Sequence, residues 1–456
     1  MLLHSSQTEA VNLVRRADKP REKALSILRC AEAGTYADAL IDKARQIFDE
    51  RDSGFILELV YGILRNQTRL DWIIDLFSEQ PIAFTDSWTR NILRLGAYQL
   101  LFLDRIPISA IVNTATELAK TYGKKSGYVN GLLRNLDRKR NTITYPTSED
   151  PIRQLSIMHS HPAWLVRRWV EQFGIEKAES ILQKNNRPAP LIIRTNILKA
   201  TRDELKVSLI SEGTEVAETP YSPIGLQVIS SPGLHRLSAY KQGWFIIQDQ
   251  AAQLISMLLS PSPGEMVLDA CAAPGGKVTH LAEMMKNRGT LIALEKDSDR
   301  LTKIQENSKR LGLTNIIPKL QDASRYQEGR YDKILIDAPC SGLGILRRHP
   351  DGRWTKTENL IMARRRIQER ILENCSKLLK PGGALVYATC TTELEENEEV
   401  LSVFLAGAGK EFEIEDARSF LPKAAVKFVN EKKFFHTYPL APEMDGFFGA
   451  RLKKKK

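Results

Sequence analysis

Long apolar runs are missing from this chain of 456 residues. None of its hydrophobic stretches reaches the ~20 residues that a helix needs to cross a bilayer. The first residues, MLLHSSQTEAVNLVRR, also lack the basic-then-apolar order of a secretory signal peptide. A hydrophobic content of 42% with 27% charged residues is typical of folded soluble proteins. We therefore expect a cytoplasmic protein that does not contact membranes.

Cysteine is scarce, and the spacing of the few cysteines excludes two common roles. Their number is odd, and neither a CxxC pair nor a metal-ligand spacing occurs. This argues against a disulfide framework and against structural zinc, so we expect no metal site. Any important cysteine would act as a thiol. Two of them are expected to be buried small hydrophobic residues: Cys30, and Cys375 in a helix predicted over 370–379.

Acidic residues are outnumbered, which gives a net charge of +11 and a pI of about 9.3. This balance favours a polyanionic partner, most simply a nucleic acid, although a merely basic soluble protein fits it equally well. One basic cluster closes the first part of the chain, where it is either a solvated helix face or a patch that contacts phosphates. Its most promising members are Arg138, Lys139 and Arg140.

Hydrophobic periodicity predicts three domains in a chain of this length. Residues 1–143 have apolar residues at helical spacing and are predicted to be all-α. A polar linker over 142–151 leads into a small α+β module over 144–235, whose chemistry the sequence does not reveal. Residues 236–456 alternate strands and helices, which predicts a mostly parallel sheet covered on both faces. Its predicted strands are 266–271, 290–294, 316–320, 333–337 and 384–389.

A strand followed by a glycine turn and a helix over 267–277 (VLDACAAPGGK) predicts a nucleoside-type cofactor site. The turn lacks the third glycine of the dinucleotide fingerprint and does not match a phosphate-binding P-loop. A cofactor without pyrophosphate fits better, and S-adenosylmethionine is the candidate. Glu295, at the end of the second strand, is placed to accept from ribose hydroxyls. Asp322, at the end of the third strand, is placed near an adenine amine.

Two cysteine motifs end the fourth and fifth predicted strands of the sheet. Asp337 begins the sequence DAPCSG, which contains Cys340, and Cys390 closes the sequence YATC. A thiolate that adds to carbon 6 of a pyrimidine makes carbon 5 nucleophilic enough to accept a methyl group. A carboxylate would recognise the cytosine edge, and a base would remove the carbon-5 proton. These residues supply the parts, and the chemistry alone leaves open which cysteine attacks.

Several motifs, in order, resemble the bacterial rRNA (cytosine-5) methyltransferases of the RsmB (Fmu/Sun) type, in the RsmB/NOP family. They are DACAAPGGK, ALEKD, QDASRY, DAPCSGLG with RRHPD, and YATC followed by Glu395-Glu396-Asn397. The closing Asp445-Gly446-Phe447-Phe448 is similar to the final hairpin of that family. The N-terminal LVYGILR resembles a fused NusB-like RNA-binding domain.

The resemblance implies a Rossmann-like class I methyltransferase domain with a seven-stranded, mostly parallel sheet, preceded by the NusB-like domain and the α+β module. It implies methylation of a cytosine in 16S rRNA through a covalent adduct, with Cys390 as nucleophile and Cys340 assisting product release. Asp337 would lie near both the methyl donor and the target base. The chain departs from many relatives at Glu295, where they have Asp. The S-adenosylmethionine contacts implied are Cys271, Ala272, Ala273, Pro274, Gly275, Gly276, Lys277, Glu295, Asp322 and Asp337.

The loop after the Pro-Cys motif is basic and is expected to contact RNA phosphates, with Trp354 either stacked on a base or packed in the core. Its candidate contacts are Arg347, Arg348 and Arg353. The expected partner is 16S rRNA or a small-subunit assembly intermediate, bound by a monomer. The same chemistry on tRNA or 23S rRNA is one alternative, a non-enzymatic RNA-binding assembly factor is another, and a redox role for the cysteines is a third.

Overall fold

The structure is a computed structural model, and it describes residues 19–145, 150–439 and 444–456. Contacts divide the chain into two compact units. The first comprises Met1–Arg187 together with Leu346–Lys356, and the second comprises Pro188–Ile345 together with Thr357–Lys456. Among the described residues, no helix has both the length and the apolar character needed to cross a bilayer.

The first unit is all helical where it is described. Its helices are α1 (Lys19–Glu32), α2 (Ala37–Arg45), α3 (Glu50–Arg65), α4 (Gln67–Asp75), α5 (Ser87–Phe102), α6 (Ile108–Leu118), α7 (Ser126–Lys139), α8 (Pro151–His159), α9 (Ala163–Phe173) and α10 (Ile175–Asn185). Asp49 and Asp86 cap α3 and α5 by accepting from backbone N–H groups three residues on. Gly62 in α3 faces the ring of Tyr98 in α5, where a Cβ would lie 2.0 Å from the hydroxyl oxygen. The glycine of LVYGILR therefore sets how closely these helices pack.

The second unit begins with a four-stranded antiparallel sheet. Its strands are β1 (Leu191–Thr195), β2 (Glu215–Glu218), β3 (Gly225–Ser230) and β4 (Phe245–Ile247), in the order β2-β3-β1-β4. Helix α11 (Arg202–Ser211) starts with a capping box between Thr201 and Glu204, and α12 (Ser238–Lys241) follows. Buried apolar residues of β1, β3 and α11 form the core of this module.

The larger sheet of the second unit carries the glycine turn and both cysteine motifs. Its order is β10-β12-β9-β8-β5-β6-β7, with β11 paired to β12. The five strands from β9 to β7 are mutually parallel, and β12 runs antiparallel to β9. The strands are β5 (Met266–Asp269), β6 (Thr290–Glu295), β7 (Ile316–Leu320), β8 (Tyr331–Asp337), β9 (Leu379–Thr389), β10 (Phe412–Glu415), β11 (Phe435–Thr437) and β12 (Phe447–Lys454).

Helices cover both faces of this sheet, which is why Val267 and Leu268, neighbours in β5 that point to opposite faces, are both fully buried. These helices are α13 (Gln250–Leu259), α14 (Gly276–Met284), α15 (Ser298–Leu311), α17 (Glu358–Ser376) and α18 (Glu398–Ala406). The short helix α16 (Gly352–Thr355) belongs to the first unit. The predicted mixed architecture, with its mostly parallel sheet, is confirmed.

One predicted boundary differs from the structure. The helix predicted over 370–379 ends at Ser376, because Leu379 pairs with Tyr331 as the first residue of β9 and Pro381 cannot continue a helix. Contacts group helices α8 to α10, which fall within the range predicted for the α+β module, with the first compact unit. Residues 146–149 of the predicted linker, and residues 1–18 of the predicted helical domain, lie outside the described residues.

Candidate active site

Parallel pairing of β8 with β9 brings the two cysteine motifs together. Asp337 at the end of β8 pairs with Ala388 in β9, so the residues that follow both strands share the carboxyl edge of the sheet. The sulfur atoms of Cys340 and Cys390 lie 3.3 Å apart. The Gly344 N–H donates to the Cys390 carbonyl oxygen at 3.1 Å, which ties the loop after Cys340 to the end of β9. Two thiols in contact beside a carboxylate are the parts that the sequence predicts.

The Cys340 thiol is held in its protonated form by its surroundings. Its hydrogen bond with Cys390, its burial and the nearby Glu396 carboxylate each raise the pKa of Cys340 well above the usual range. A thiolate at this position is therefore disfavoured while Cys390 stays in contact with it.

Lys277 links the glycine turn to the same edge. Its Nζ donates to Asp337 Oδ2 at 2.6 Å and lies 5.0 Å from the centre of the Phe447 ring. Burial opposes the ammonium charge, but the Asp337 carboxylate outweighs it, and the pKa of Lys277 is raised. The pair therefore holds the Lys277 ammonium group where the turn meets the cysteines.

Asp269, at the end of β5, is fully buried. Burial, followed by repulsion from Asp337, raises the pKa of Asp269 to about 7. Its Oδ1 accepts from the Cys271 N–H at 3.3 Å, whereas its Oδ2 has no hydrogen-bond partner among the described residues. A buried carboxylate oxygen without a partner is costly in free energy and is suited to a bound donor or cation.

The glycine turn is shaped by its backbone and by α15. Gly275 has a φ of +110°, which side chains rarely allow, and a Cβ there would lie 3.4 Å from the Cα of Ile304. Arg300 donates to the Ala273 carbonyl oxygen and Asn307 to that of Pro274, both at 3.1 Å. Helix α14 follows directly, so its first N–H groups lie at the turn.

The two predicted nucleoside contacts differ in exposure. Glu295 is nearly buried, and its Oε1 accepts from the N–H groups of Lys296 and Asp297 at 2.9 and 3.1 Å. Its second oxygen lies 3.6 Å from Arg300. Asp322 is exposed and accepts from the Ser324 N–H and hydroxyl. Partial burial would raise the pKa of Asp322, but these hydrogen bonds outweigh it, and the pKa is lowered.

Sequence reasoning missed Arg194, a residue of the small sheet whose side chain forms hydrogen bonds with the glycine turn and with α14. Arg194 in β1 is fully buried and donates to the Gly276 carbonyl oxygen at 2.5 Å and to Thr279 Oγ1 at 3.0 Å. It also forms an ion pair of 2.7 Å with Glu283, which is equally buried. A charged residue inside the apolar run LIIRTN was the available signal, since such a charge needs a buried partner.

Two of the predicted RNA contacts are wrong because their side chains are buried in the first unit. Arg353 is fully buried and donates to the carbonyl oxygens of Ser160 and Asn185, and burial lowers its pKa to about 9. Arg347 is 7% exposed, and its Nε donates to the Arg187 carbonyl oxygen. Trp354 packs against the helical core and donates to the Leu64 carbonyl oxygen at 2.7 Å, so it does not stack on a base.

The other predicted RNA contacts keep their access to solvent. Arg138, Lys139 and Arg140 at the end of α7 are exposed, and Arg348 is half-buried. No cluster of metal-ligating side chains occurs in the part of the chain that the structure describes.

The site fits an S-adenosylmethionine cofactor by the chemistry of its groups. A tight glycine turn at a helix N-terminus allows close approach to the backbone, and Asp269 offers an unpaired buried oxygen. Glu295 ends β6 and Asp322 lies two residues after the end of β7, at the edge of the sheet where ligands of such folds bind.

Known proteins match all three parts of the chain. The family model "16S rRNA methyltransferase RsmB/F" matches residues 256–453, the NusB family model matches 9–138, and a ferredoxin-like domain model of RsmF/B-like methyltransferases matches 161–233. The chain belongs to the RsmB/F family of 16S rRNA methyltransferases. It is an S-adenosylmethionine-dependent rRNA methyltransferase, with a NusB domain and a ferredoxin-like module before its catalytic domain.

Individual relatives resemble this methyltransferase over nearly their whole length. The probable ribosomal RNA small subunit methyltransferase B of Bacillus subtilis is 35% identical, with 94% of this chain and 97% of that protein covered. The corresponding protein of Synechocystis is 36% identical over 95% and 99%. Among solved structures, that of PH0851 has a TM-score of 0.79 at 28% identity, covering 95% of this chain and 98% of its own.

A second solved structure, NSun6 from Pyrococcus horikoshii with SFG, has a TM-score of 0.59 at 26% identity. It covers 66% of this methyltransferase and 100% of its own chain.

Proposed function

We propose that this methyltransferase modifies carbon 5 of a cytosine in 16S rRNA through a covalent cysteine adduct. The observation that carries the proposal is the contact between Cys340 and Cys390 beside the Lys277–Asp337 pair. Methylation of a ring nitrogen or a ribose oxygen does not need a thiol nucleophile, whereas carbon 5 must be activated by addition at carbon 6. S-adenosylmethionine supplies the methyl group when it is bound.

Each residue then has a defined task. Cys390 loses its thiol proton as its sulfur bonds to carbon 6, and carbon 5 then takes the methyl group, leaving S-adenosylhomocysteine as the second product. A base removes the proton from carbon 5, the bond between carbon 6 and sulfur breaks, and 5-methylcytosine leaves. Asp337 faces the polar edge of the cytosine, and Cys340 assists the release.

The contact between the thiols supports this order of events. The largest cause of the raised pKa of Cys340 is its hydrogen bond with Cys390. The 3.3 Å contact places the Cys340 sulfur next to the sulfur that becomes bonded to carbon 6, which is where a group that assists release is needed.

The family and the NusB domain support 16S rRNA, free or within a small-subunit assembly intermediate, as the substrate in the cytoplasm. The exposed cluster of Arg138, Lys139 and Arg140 would contact phosphates. The same chemistry on tRNA or 23S rRNA is the alternative. Bisulfite sequencing of RNA from cells with and without the protein would distinguish them, since the target cytosine is protected only when the enzyme is present.

The covalent step is tested by trapping. RNA that carries 5-fluorocytosine has no proton to lose at carbon 5, so the adduct cannot resolve. With S-adenosylmethionine, we expect a protein–RNA adduct that survives denaturation, is lost in Cys390→Ala and persists in Cys340→Ala. Denaturing gel electrophoresis of labelled RNA measures it. An adduct that survives Cys390→Ala but is lost in Cys340→Ala would reverse the two roles.

A further inference from the structure

Two buried polar residues follow the nucleophile motif and have no role in the chemistry so far. Glu396 ends a short 3-10 turn over Leu394–Glu396, and Asn397 comes directly after it. Both side chains are fully buried. A buried carboxylate and a buried amide must be satisfied by hydrogen bonds, so their partners reveal what they hold.

The partners of Glu396 flank Cys340. Its Oε1 accepts from the Ser341 N–H at 2.8 Å and from Gln368 Nε2 at 2.9 Å, and its Oε2 accepts from the Ser341 hydroxyl. Gln368 also donates to the Pro339 carbonyl oxygen at 3.1 Å. The residues on both sides of Cys340 are therefore fixed by one carboxylate and the glutamine bound to it.

The partners of Asn397 flank Cys390 in the same way. Its Oδ1 accepts from the Thr389 hydroxyl at 2.5 Å, and its Nδ2 donates to the Thr391 carbonyl oxygen at 3.1 Å. Both threonines are fully buried. A hydrogen bond of 2.8 Å between the hydroxyls of Ser341 and Thr391 joins the two networks.

We propose that Glu396 and Asn397 are positioning residues that set the two cysteines separately, Glu396 for product release by Cys340 and Asn397 for attack by Cys390. The inference rests on the proposed function, because it assigns each residue to one step of that reaction. Neither side chain needs to touch the substrate. Each fixes the backbone on both sides of one sulfur, and an error of ~1 Å in such a position can cost ~100-fold in rate.

The two residues should therefore fail at different steps. In Glu396→Ala and Gln368→Ala, we expect turnover to fall ~100-fold while an adduct accumulates on RNA with ordinary cytosine, because attack continues and release is slow. In Asn397→Ala and Thr389→Val, we expect the adduct on 5-fluorocytosine RNA to form ~100-fold more slowly, with no accumulation on ordinary RNA. Glu396→Gln keeps the acceptor for Ser341 and Gln368 and should restore most of the release rate.

Glu399→Gln is the matched control, because Glu399 is half-exposed and pairs with Arg365 at the surface. It should leave both rates unchanged. Thermal melting and the affinity for S-adenosylhomocysteine report on the fold of every variant, and Gln368→Ala and Thr389→Val decide the outcome if an alanine variant at 396 or 397 does not fold. If all four variants slow formation and release to the same degree, the residues support the fold alone and the inference is wrong. Absence of any wild-type adduct on 5-fluorocytosine RNA would instead overturn the proposed function.

Discussion

Asp269 combines full burial with a carboxylate oxygen that has no partner among the described residues. Burial is the largest cause of its raised pKa. Of the charged groups nearby, Asp337 disfavours ionisation of Asp269, whereas Lys277 favours it. A residue with this environment weakens the fold when it is ionised. It lies at the end of β5, beside the glycine turn, where an unpaired oxygen is available to a ligand.

Replacement of Asp269 by Asn should stabilise the ligand-free protein in a pH-dependent way. The folded-state pKa of about 7 lies above the value of 3.8 for an ordinary aspartate, so the unfolded chain releases this proton first. Wild-type stability therefore falls as pH rises from ~4 to ~7, whereas the Asn variant does not titrate there. The stability advantage of Asp269→Asn should grow through this window and stay constant above it, as measured by urea unfolding from pH 5 to 8.

Asp322→Asn serves as its control, since Asp322 is exposed and its pKa is lowered. This variant should show only a small change, and of opposite sign. An advantage of Asp269→Asn that is equal at every pH would mean that Asp269 does not titrate in this range.

At the scale of single residues, the sequence predicted where a residue lies better than it predicted which residues form hydrogen bonds with it. Cys340 and Cys390 could be placed together because parallel strands end at a common edge, a rule that needs only strand order. The partners of Arg194, Glu396 and Arg353 could not be predicted, because they lie 28 to 288 residues away along the chain. Such pairs depend on tertiary packing, which periodicity does not encode.

At the scale of elements, β1 and α14 are joined by the buried pair of Arg194 and Glu283. The strand belongs to the small sheet, and the helix begins at the glycine turn, so one guanidinium supports both. The boundaries of β7 could be predicted from its apolar pattern. The end of α17 could not, because pairing of Leu379 with Tyr331 overrides the helical pattern.

Loss of Arg194 should be strongly destabilising because it leaves Glu283 buried without its partner. We expect Arg194→Ala to lower the free energy of unfolding by ~3–5 kcal/mol, whereas the double variant Arg194→Met with Glu283→Leu should recover much of that loss. Urea unfolding measures both. Both variants should bind S-adenosylmethionine more weakly than the wild-type protein does, since in each the Gly276 carbonyl oxygen lacks its Arg194 donor.

The exposed pair of Lys377 and Glu373 at the C-terminal end of α17 provides the comparison. Lys377→Ala should cost less than ~1 kcal/mol, as is usual for surface pairs. Similar losses in Arg194→Ala and Lys377→Ala would contradict a structural role for the buried pair.

At the scale of the whole molecule, the net charge of +11 favours binding to a polyanionic rRNA substrate. The charge favoured a polyanionic partner without excluding a merely basic protein, and in the structure the basic residues differ in their exposure to solvent. Arg138, Lys139 and Arg140 face solvent, whereas Arg347 and Arg353 are used inside the helical unit. A sequence motif cannot separate these two uses of arginine, because an arginine in a basic stretch can either face solvent or donate to buried carbonyl oxygens.

Replacement of Arg138, Lys139 and Arg140 by Ala should weaken RNA binding and flatten its dependence on salt. Removal of one phosphate-binding charge reduces the slope of log K against log salt by ~0.7 on single-stranded RNA. Binding titrations at several salt concentrations measure the slope, and Arg45→Ala, at another exposed position of the helical unit, is the control. A slope unchanged in the triple variant would remove this cluster from the RNA interface.

Because residues 346–356 belong to the first unit, that unit is completed only after much of the second unit has been synthesised. The polypeptide leaves the second unit after Ile345, contributes a segment to the first unit and returns at Thr357. A ribosome that has synthesised residues 1–187 has therefore not yet supplied everything that the first unit contains, and Arg353 and Trp354 arrive more than 160 residues later. Fragments cut after Arg187 would each be incomplete, so co-expressed halves should need to associate before the helical unit reaches full stability.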